Sequence, residues 1–173
     1  MEKDVMAKTK KCRECGAEMR TETRDHQFVE TGLENVWLEG ATVHVCPNGH
    51  ELLAIPALGQ LHRVLALAII SNGQRLTGPE VKYLRKYLGL SNQDFAKVMG
   101  VSETHASRWA NGDAMGEPAE RFLRVLVLRG QKPDAYPVDE MEYLKGLAES
   151  ASPRGRIALK RRHDKWQAEA GAA

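Results

Sequence analysis

The clearest pattern of apolar and polar positions spans residues 76 to 128, and its centre predicts two short helices joined by a tight turn. Ser91 is suited to cap the first helix, with Asp94 completing a capping box, and Gly100 suits its left-handed end. Ser102 is suited to cap the second helix, which should end near an Asn-Gly pair. The apolar positions predict an inward-facing set formed by Phe95, Met99, Val101, Ala106 and Trp109.

The polar positions of the second helix are left facing outward. Thr104 and Arg108 are four residues apart, so they lie one above the other on a single face. Arginine can contact guanine bidentately, and threonine can meet a polar base edge or a thymine methyl in the major groove. The amides at the start of the first helix suit phosphate. We therefore predict a DNA-binding face made of Ser91, Asn92, Gln93, Thr104, His105, Ser107 and Arg108.

The SNQDFA helix, the Gly-Val-Ser turn and the following SRW-x-NG segment resemble the Xre/Cro-type helix-turn-helix, over roughly residues 76 to 130. The resemblance implies a bundle of about five helices that binds operators as a dimer. It also implies that Asn92 or Gln93 touches the DNA backbone and that Thr104, His105 and Arg108 approach bases. A bare helical hairpin in an all-α core is the alternative, but it does not account for the ordered cap, glycine and second cap.

Shorter alternating segments precede this region and predict strands between residues 17 and 45, punctuated by Gly32 and Gly40. Further along, Pro56 suits a helix start, and apolar residues at helical spacing predict a helix to Ser71. Asn72-Gly73 predicts a turn or hinge. The predicted divisions are a leader at 1–11, a zinc-binding domain at 12–52, a helical connector at 53–75, a helix-turn-helix domain at 76–132, and a C-terminal helix and basic tail at 133–173.

Three cysteines and a histidine predict a metal site in the first of these domains. Cys12 and Cys15 form a CxxC pair that can hold two corners of a tetrahedron, and Cys46 and His50 form a CxxxH pair. His44 is an alternative fourth ligand, because two residues along a strand bring it to the same face as Cys46. A redox pair without metal is another alternative. So short a segment buries little core, so zinc would supply much of its folding energy.

The predicted fold class is therefore α+β, a small zinc-bound antiparallel β domain followed by an all-α helix-turn-helix domain. The chain of 173 residues has a formal net charge of only +2, which does not by itself indicate nucleic acid. The distribution is more informative. Residues 16–51 hold seven acids against two bases, whereas residues 62–132 hold eleven bases against six acids. The acidic segment favours a basic protein partner, and the basic segment favours phosphate.

No signal peptide is evident, and the apolar run from Leu58 to Ile70 is too short to span a bilayer. A CxxC pair without secretion signals indicates a reducing compartment, so the expected location is the cytoplasm, with no membrane association. Beyond residue 150, six bases and few apolar residues predict a solvated tail, or a basic helix that grips DNA or packs on a partner.

The order of an acidic CxxCG domain, an apolar helix and an Xre-type domain resembles the MqsA antitoxin family, whose N-terminal domain is a YgiT-type zinc finger. The resemblance spans about residues 12 to 130 and implies an autoregulatory repressor that neutralises a toxin, binds a palindromic operator and forms a homodimer. The histidine ligand and the extension after residue 132 depart from that pattern. The alternatives are a stand-alone Xre-type regulator whose zinc domain binds a protein, a pure protein-binding module in which DNA binding is vestigial, and an enzyme. Four protein ligands leave no open metal position for catalysis.

Overall fold

The computed structural model describes residues 10–130 and 156–169. The described residues form a mainly antiparallel sheet of six strands in the order β1-β2-β3-β5-β6, with β4 also paired to β3. The long central strand β3 pairs with β2 along one edge, and with β4 and then β5 along the other. The strands are β1 Lys10–Lys11, β2 Glu18–Gln27, β3 Val36–Val45, β4 Glu51–Ala54, β5 Ile157–Arg162 and β6 Lys165–Glu169.

In the described residues, five α-helices follow the first four strands. They are α1 Leu58–Ser71, α2 Gly78–Tyr87, α3 Asn92–Met99, α4 Glu103–Ala110 and α5 Glu117–Arg129. The predicted connector helix is α1, which begins two residues after Pro56 and buries an apolar face against the sheet. The start of α2 is fixed by a reciprocal capping box between Thr77 and Glu80. The sheet and the helices together confirm the α+β class.

One apolar core runs from the sheet through α1 into the helical bundle. It joins Val36 and Leu38 of β3 to Leu61 and Leu65 of α1, and continues to Phe95 of α3. Burial of this kind, at roughly 25 cal/mol per Å² of apolar surface, supplies the main driving force for folding. The division into separate zinc and helix-turn-helix domains stays a prediction, since the described residues share this continuous core.

The segment around Asn72-Gly73, which was predicted to be a turn or hinge, is held by one buried arginine. Arg124 of α5 is 2% exposed and donates to the carbonyls of Ile70, Asn72 and Gln74. Its second partner is the carboxylate of Glu120, one helical turn earlier, at 2.7 Å. These bonds tie the end of α1 to α5, and therefore fix how the helical bundle sits on the sheet.

The expectation of a solvated basic tail is wrong for residues 157–169. This segment forms a hairpin whose first strand, β5, adds in parallel to β3 with Leu159 opposite Leu38. The ring of Trp166 is buried, and its Nε1 donates to the carbonyl of Pro56 at 2.9 Å. The apolar residues of β5 and Trp166 explain the difference, because they bury surface that a basic tail would leave in water. The helix predicted within the C-terminal segment 133–173 lies outside the described residues.

None of the helices in the described ranges combines the length and the apolar character that a membrane crossing requires.

Candidate metal centre and nucleic-acid interface

The four predicted metal ligands come from two similar turns at one end of the sheet. Cys12 and Cys15 lie in the turn between β1 and β2, where the amide of Gly16 donates to the carbonyl of Cys12 at 2.9 Å. Cys46 and His50 lie in the turn between β3 and β4, and the Gly49 amide donates to the Cys46 carbonyl at 3.0 Å. Both glycines adopt a positive φ, which lets each turn curl back towards its first cysteine.

The ligand atoms of these two turns converge, lying within 4.8 Å of one another. The sulfurs of Cys15 and Cys46 are 3.7 Å apart, and Nδ1 of His50 lies 3.5 Å from the sulfurs of both Cys12 and Cys46. A zinc tetrahedron with usual bond lengths has edges of about 3.8 Å between sulfurs and about 3.5 Å between sulfur and nitrogen. The side chains therefore fit a tetrahedral ion, whereas a disulfide would need sulfurs about 2.05 Å apart.

The pKa values of Cys12 and Cys15 are shifted in opposite directions. The backbone amide of Ala17, followed by the side chains of Asn48 and His50, lowers the pKa of Cys15 to about 6. The pKa of Cys12 lies above its usual value. The backbone amide of Cys15 favours the Cys12 thiolate, but burial and the neighbouring thiols outweigh it. Thiolates are the metal-binding form of cysteine, so binding of a cation at this cluster would release the proton of any thiol that is still protonated.

His44, the alternative fourth ligand, is engaged elsewhere. Its Nδ1 lies 3.0 Å from Oγ1 of Thr21 on the neighbouring strand, and the ring is 8% exposed. Burial lowers the pKa of His44, with a smaller contribution from the charge of Lys10. A neutral, hydrogen-bonded histidine in the sheet is a structural residue here. The structure thus brings His50, and not His44, together with the three cysteines.

The helix-turn-helix has the predicted caps and turn, although the Asp94 carboxylate accepts from the Ser91 hydroxyl and not from the Ser91 amide that a capping box would use. The hydroxyl of Ser91 accepts from the amide of Asp94 at 3.0 Å, and the hydroxyl of Ser102 accepts from that of His105 at 3.2 Å. Gly100 ends α3 with φ of 68°, in the left-handed region. Caps of this kind typically contribute about 1 kcal/mol each. Of the predicted inward set, Phe95, Ala106 and Trp109 are buried, and Met99 and Val101 are partly buried against the same core.

The predicted reading face of α4 is presented to solvent. Thr104, His105 and Arg108 are exposed, while Ser107 is half-buried at the edge of the helix. The ring of His105 packs on Trp109, with centroids 4.7 Å apart, so the buried tryptophan restricts where the imidazole can point. This arrangement offers an arginine, an imidazole and a hydroxyl from successive turns of one helix, which are the groups that recognise base edges in the major groove.

The three residues predicted to contact the DNA backbone differ in availability. Ser91 is exposed, but its hydroxyl is already bonded to Asp94, at 2.6 Å from the carboxylate. Asn92 is half-buried, and its Nδ2 donates to the carbonyl of Glu103 at 3.2 Å, bridging α3 to the start of α4. Gln93 is exposed. Asn92 therefore holds the two helices together, and Gln93 has the more accessible side chain for phosphate.

Two side-chain contacts, one at α4 and one at the sheet, were not predicted from the sequence. Asp113, just after α4, pairs with Arg108 across 2.6 Å, although the sequence pattern treated it only as one acid among six. Arg156, counted in the tail, lies over the ring of Trp37 and pairs with Asp25 of the sheet at 3.2 Å. Asp113 follows Arg108 by five residues, across the end of α4, and this spacing could have suggested the first contact. No local signal indicates the second.

A comparison with protein-family models matches residues 81–126 to the helix-turn-helix family. The match begins within α2 and ends within α5, so it includes the whole reading face. Searches of curated proteins and of solved structures found no significant match. The chain thus contains a helix-turn-helix domain of the type found in DNA-binding transcription regulators, which is not an enzyme family, together with a Cys3His cluster that could bind a metal ion.

Proposed function

We propose that this chain is a zinc-containing, sequence-specific DNA-binding repressor, and that it is the antitoxin of a type II toxin–antitoxin pair that autoregulates its operon in the cytoplasm. The observation that carries the DNA-binding part is the exposed face of α4 inside the matched helix-turn-helix. The antitoxin part is supported by the resemblance of the whole arrangement to the MqsA family and by the acidic character of the sheet.

In the proposed complex, α4 lies in the major groove. Arg108 addresses a guanine through two parallel hydrogen bonds, and Thr104 and His105 contact neighbouring base edges, with Ser107 at the margin. Ser91, Asn92 and Gln93 place the start of α3 against phosphates, where the amides and the helix dipole favour negative charge. Two copies of the chain, acting as a homodimer, would present two such helices to a palindromic operator.

Zinc is proposed as the ion held by Cys12, Cys15, Cys46 and His50. Three thiolates and one imidazole are a usual zinc set, and their separations match its tetrahedron. Four protein ligands close the coordination sphere, so the ion would act in folding rather than in catalysis. It would bind the β1–β2 turn to the β3–β4 turn, which share only a small apolar cluster of their own.

A basic toxin would be attracted by the acidic sheet, but the structure reduces the area open to it. Within the described ranges, Asp25 and Glu39 pair with Arg156, Glu51 pairs with Arg24, and Glu22 pairs with Arg20. The acids of the acidic segment without an ion pair there are Glu18, Glu30 and Glu34, all of them exposed. We therefore propose that these three carboxylates carry the attraction to a partner.

The DNA-binding part is tested by selecting binding sequences from a random duplex library with the wild-type protein, then titrating the selected duplex in gel shifts. Arg108→Ala should weaken specific binding by about 1–3 kcal/mol and relax one base position. An unchanged affinity and an unchanged base preference would show that α4 does not read DNA in this orientation. Binding should also fall steeply with salt, because lysines and arginines release counterions.

A stand-alone Xre-type regulator with a protein-binding zinc domain is the second candidate. It is favoured by the hairpin of residues 157–169, which occupies one edge of β3, and by Arg156 just before it, which pairs with Asp25 of the acidic sheet. Co-expression of this chain with the product of the neighbouring gene distinguishes the antitoxin from the stand-alone regulator. An antitoxin should restore growth that the adjacent product arrests, and should co-purify with it. A regulator without a toxin should do neither, while keeping its DNA binding.

A further inference from the structure

We infer that Asp113 is a positioning residue for DNA reading, which fixes the guanidinium of Arg108 so that its two terminal nitrogens address one base. The inference rests on the proposed function, since it assumes that Arg108 meets a base edge. It goes beyond that function because it assigns a role in specificity to an acidic residue that lies outside the predicted DNA-binding residues.

The contact between the two residues uses a particular nitrogen. Nε of Arg108 donates to Oδ2 of Asp113 at 2.6 Å, and the Asp113 amide donates back to the Arg108 carbonyl at 3.0 Å. Within the part of the chain that the structure describes, Asp113 is the ion-pair partner of Arg108 and the pair uses Nε alone. Both terminal nitrogens thus stay available for the two acceptors of guanine, O6 and N7, in a plane set by the carboxylate.

The carboxylate is supported by a well-held turn. The amide of Asn111 donates to the carbonyls of Ser107 and Arg108, and Gly112 takes a φ of 115°, which a residue with a side chain rarely adopts. The turn also sits directly against the start of α2. A Cβ added to Gly78 would come within 2.7 Å of the Gly112 nitrogen. Asp113 therefore starts from a backbone position that is fixed by packing and by hydrogen bonds.

A simpler role for Asp113 predicts the opposite result. Both side chains are largely exposed, at 68% for Arg108 and 49% for Asp113, and exposed ion pairs contribute little to stability. If the carboxylate only repelled phosphates, removing it would raise affinity for every duplex and leave base preferences unchanged. If it orients Arg108, removing it should lower the preference at one base position, whatever happens to the overall affinity.

The experiment compares wild-type protein with Asp113→Ala, Asp113→Asn, Arg108→Ala and the double variant Arg108→Ala/Asp113→Ala on a random-sequence duplex library. Base preferences are read at each position, and affinity is measured for an unselected duplex. Both Asp113 variants lose the charge, but asparagine keeps an oxygen that can accept from Nε, so their difference isolates orientation from charge. Thermal unfolding of each variant checks that the substitution has not altered folding.

We expect Asp113→Ala to reduce the preference two- to fivefold, the range of an exposed ion pair of up to about 1 kcal/mol. The loss should fall at the position that Arg108→Ala makes degenerate, Asp113→Asn should retain more of the preference, and the double variant should match Arg108→Ala. Two results would overturn this inference but not the proposed function. One is an unchanged base preference in Asp113→Ala, and the other is a further loss of preference when Asp113→Ala is added to Arg108→Ala. If Arg108→Ala left the base preference at every position unchanged, both the proposed DNA-reading role of α4 and this inference would be refuted.

Discussion

Replacing Arg124 with methionine tests whether the buried arginine fixes the segment between α1 and α2. The variant keeps most of the aliphatic volume but removes the donors to the carbonyls of Ile70, Asn72 and Gln74 and to Glu120. Breaking a buried pair from one side usually costs about 3–5 kcal/mol, because the remaining charge loses its partner. Glu120 keeps Arg75 at 2.7 Å and the Leu76 amide at 3.2 Å, so we expect the lower end, about 3 kcal/mol.

The measurement is urea unfolding followed by circular dichroism, with the midpoint compared at an unchanged slope. Arg121→Met is the matched control, since Arg121 lies on the same helix and pairs with Glu117 at 2.6 Å, with both side chains exposed. That control should cost less than about 1 kcal/mol. Equal losses in the two variants would refute the reasoning, because burial would then not distinguish the two arginines. Glu120→Gln combined with Arg124→Met should recover part of the loss.

Three further changes test the rest of the fold. His50→Ala should abolish a content of about one zinc per chain in elemental analysis, whereas His44→Ala should keep it; the reverse result would exchange the two assignments. Trp166→Ala should lower the free energy of unfolding by about 3–5 kcal/mol, because the ring anchors the hairpin on α1, and a loss below 1 kcal/mol in urea would show a detached tail. Gly78→Ala should lower the free energy of unfolding by about 1–3 kcal/mol, because the added Cβ would collide with the backbone near Gly112. Gly59→Ala in α1 is the control. Its Cβ would meet nothing within 4 Å, so the thermal midpoint should stay unchanged or rise.

The features that could be predicted from the sequence are those encoded over short distances. The caps at Ser91 and Ser102 and the left-handed turn at Gly100 depend on residues three or four apart, so the pattern placed α3 and α4 correctly. The grouping of the metal ligands was also accessible, since each turn supplies two donors at its own fixed spacing. His50 was preferred to His44 because it lies in the same turn as Cys46. His44 lies within a strand, and its side chain contacts Thr21 of the neighbouring strand.

Features that depend on distant pairing could not be predicted in this way. Nothing near Leu159 indicates that it will lie beside Leu38, more than a hundred residues earlier, and the many bases around it favour a solvated tail. Arg124 was likewise counted among the basic residues available to DNA, although it is buried. An arginine four residues after a glutamate in a helix usually indicates an exposed ion pair. The buried role of Arg124 is evident only from its hydrogen bonds to carbonyls of the distant segment 70–74.

The placement of the metal cluster relative to the core bears on how the two proposed activities are related. Cys12, Met19 and Cys46 form an apolar cluster separate from the core that joins the sheet, α1 and the helix-turn-helix. A cluster of three buried residues supplies little hydrophobic stabilisation, so the two turns depend on their ligand bonds. The reading face, by contrast, rests on Phe95 and Trp109 in the large core. Metal loss should therefore loosen the two turns while α4 keeps its shape, so that DNA binding can survive removal of the metal.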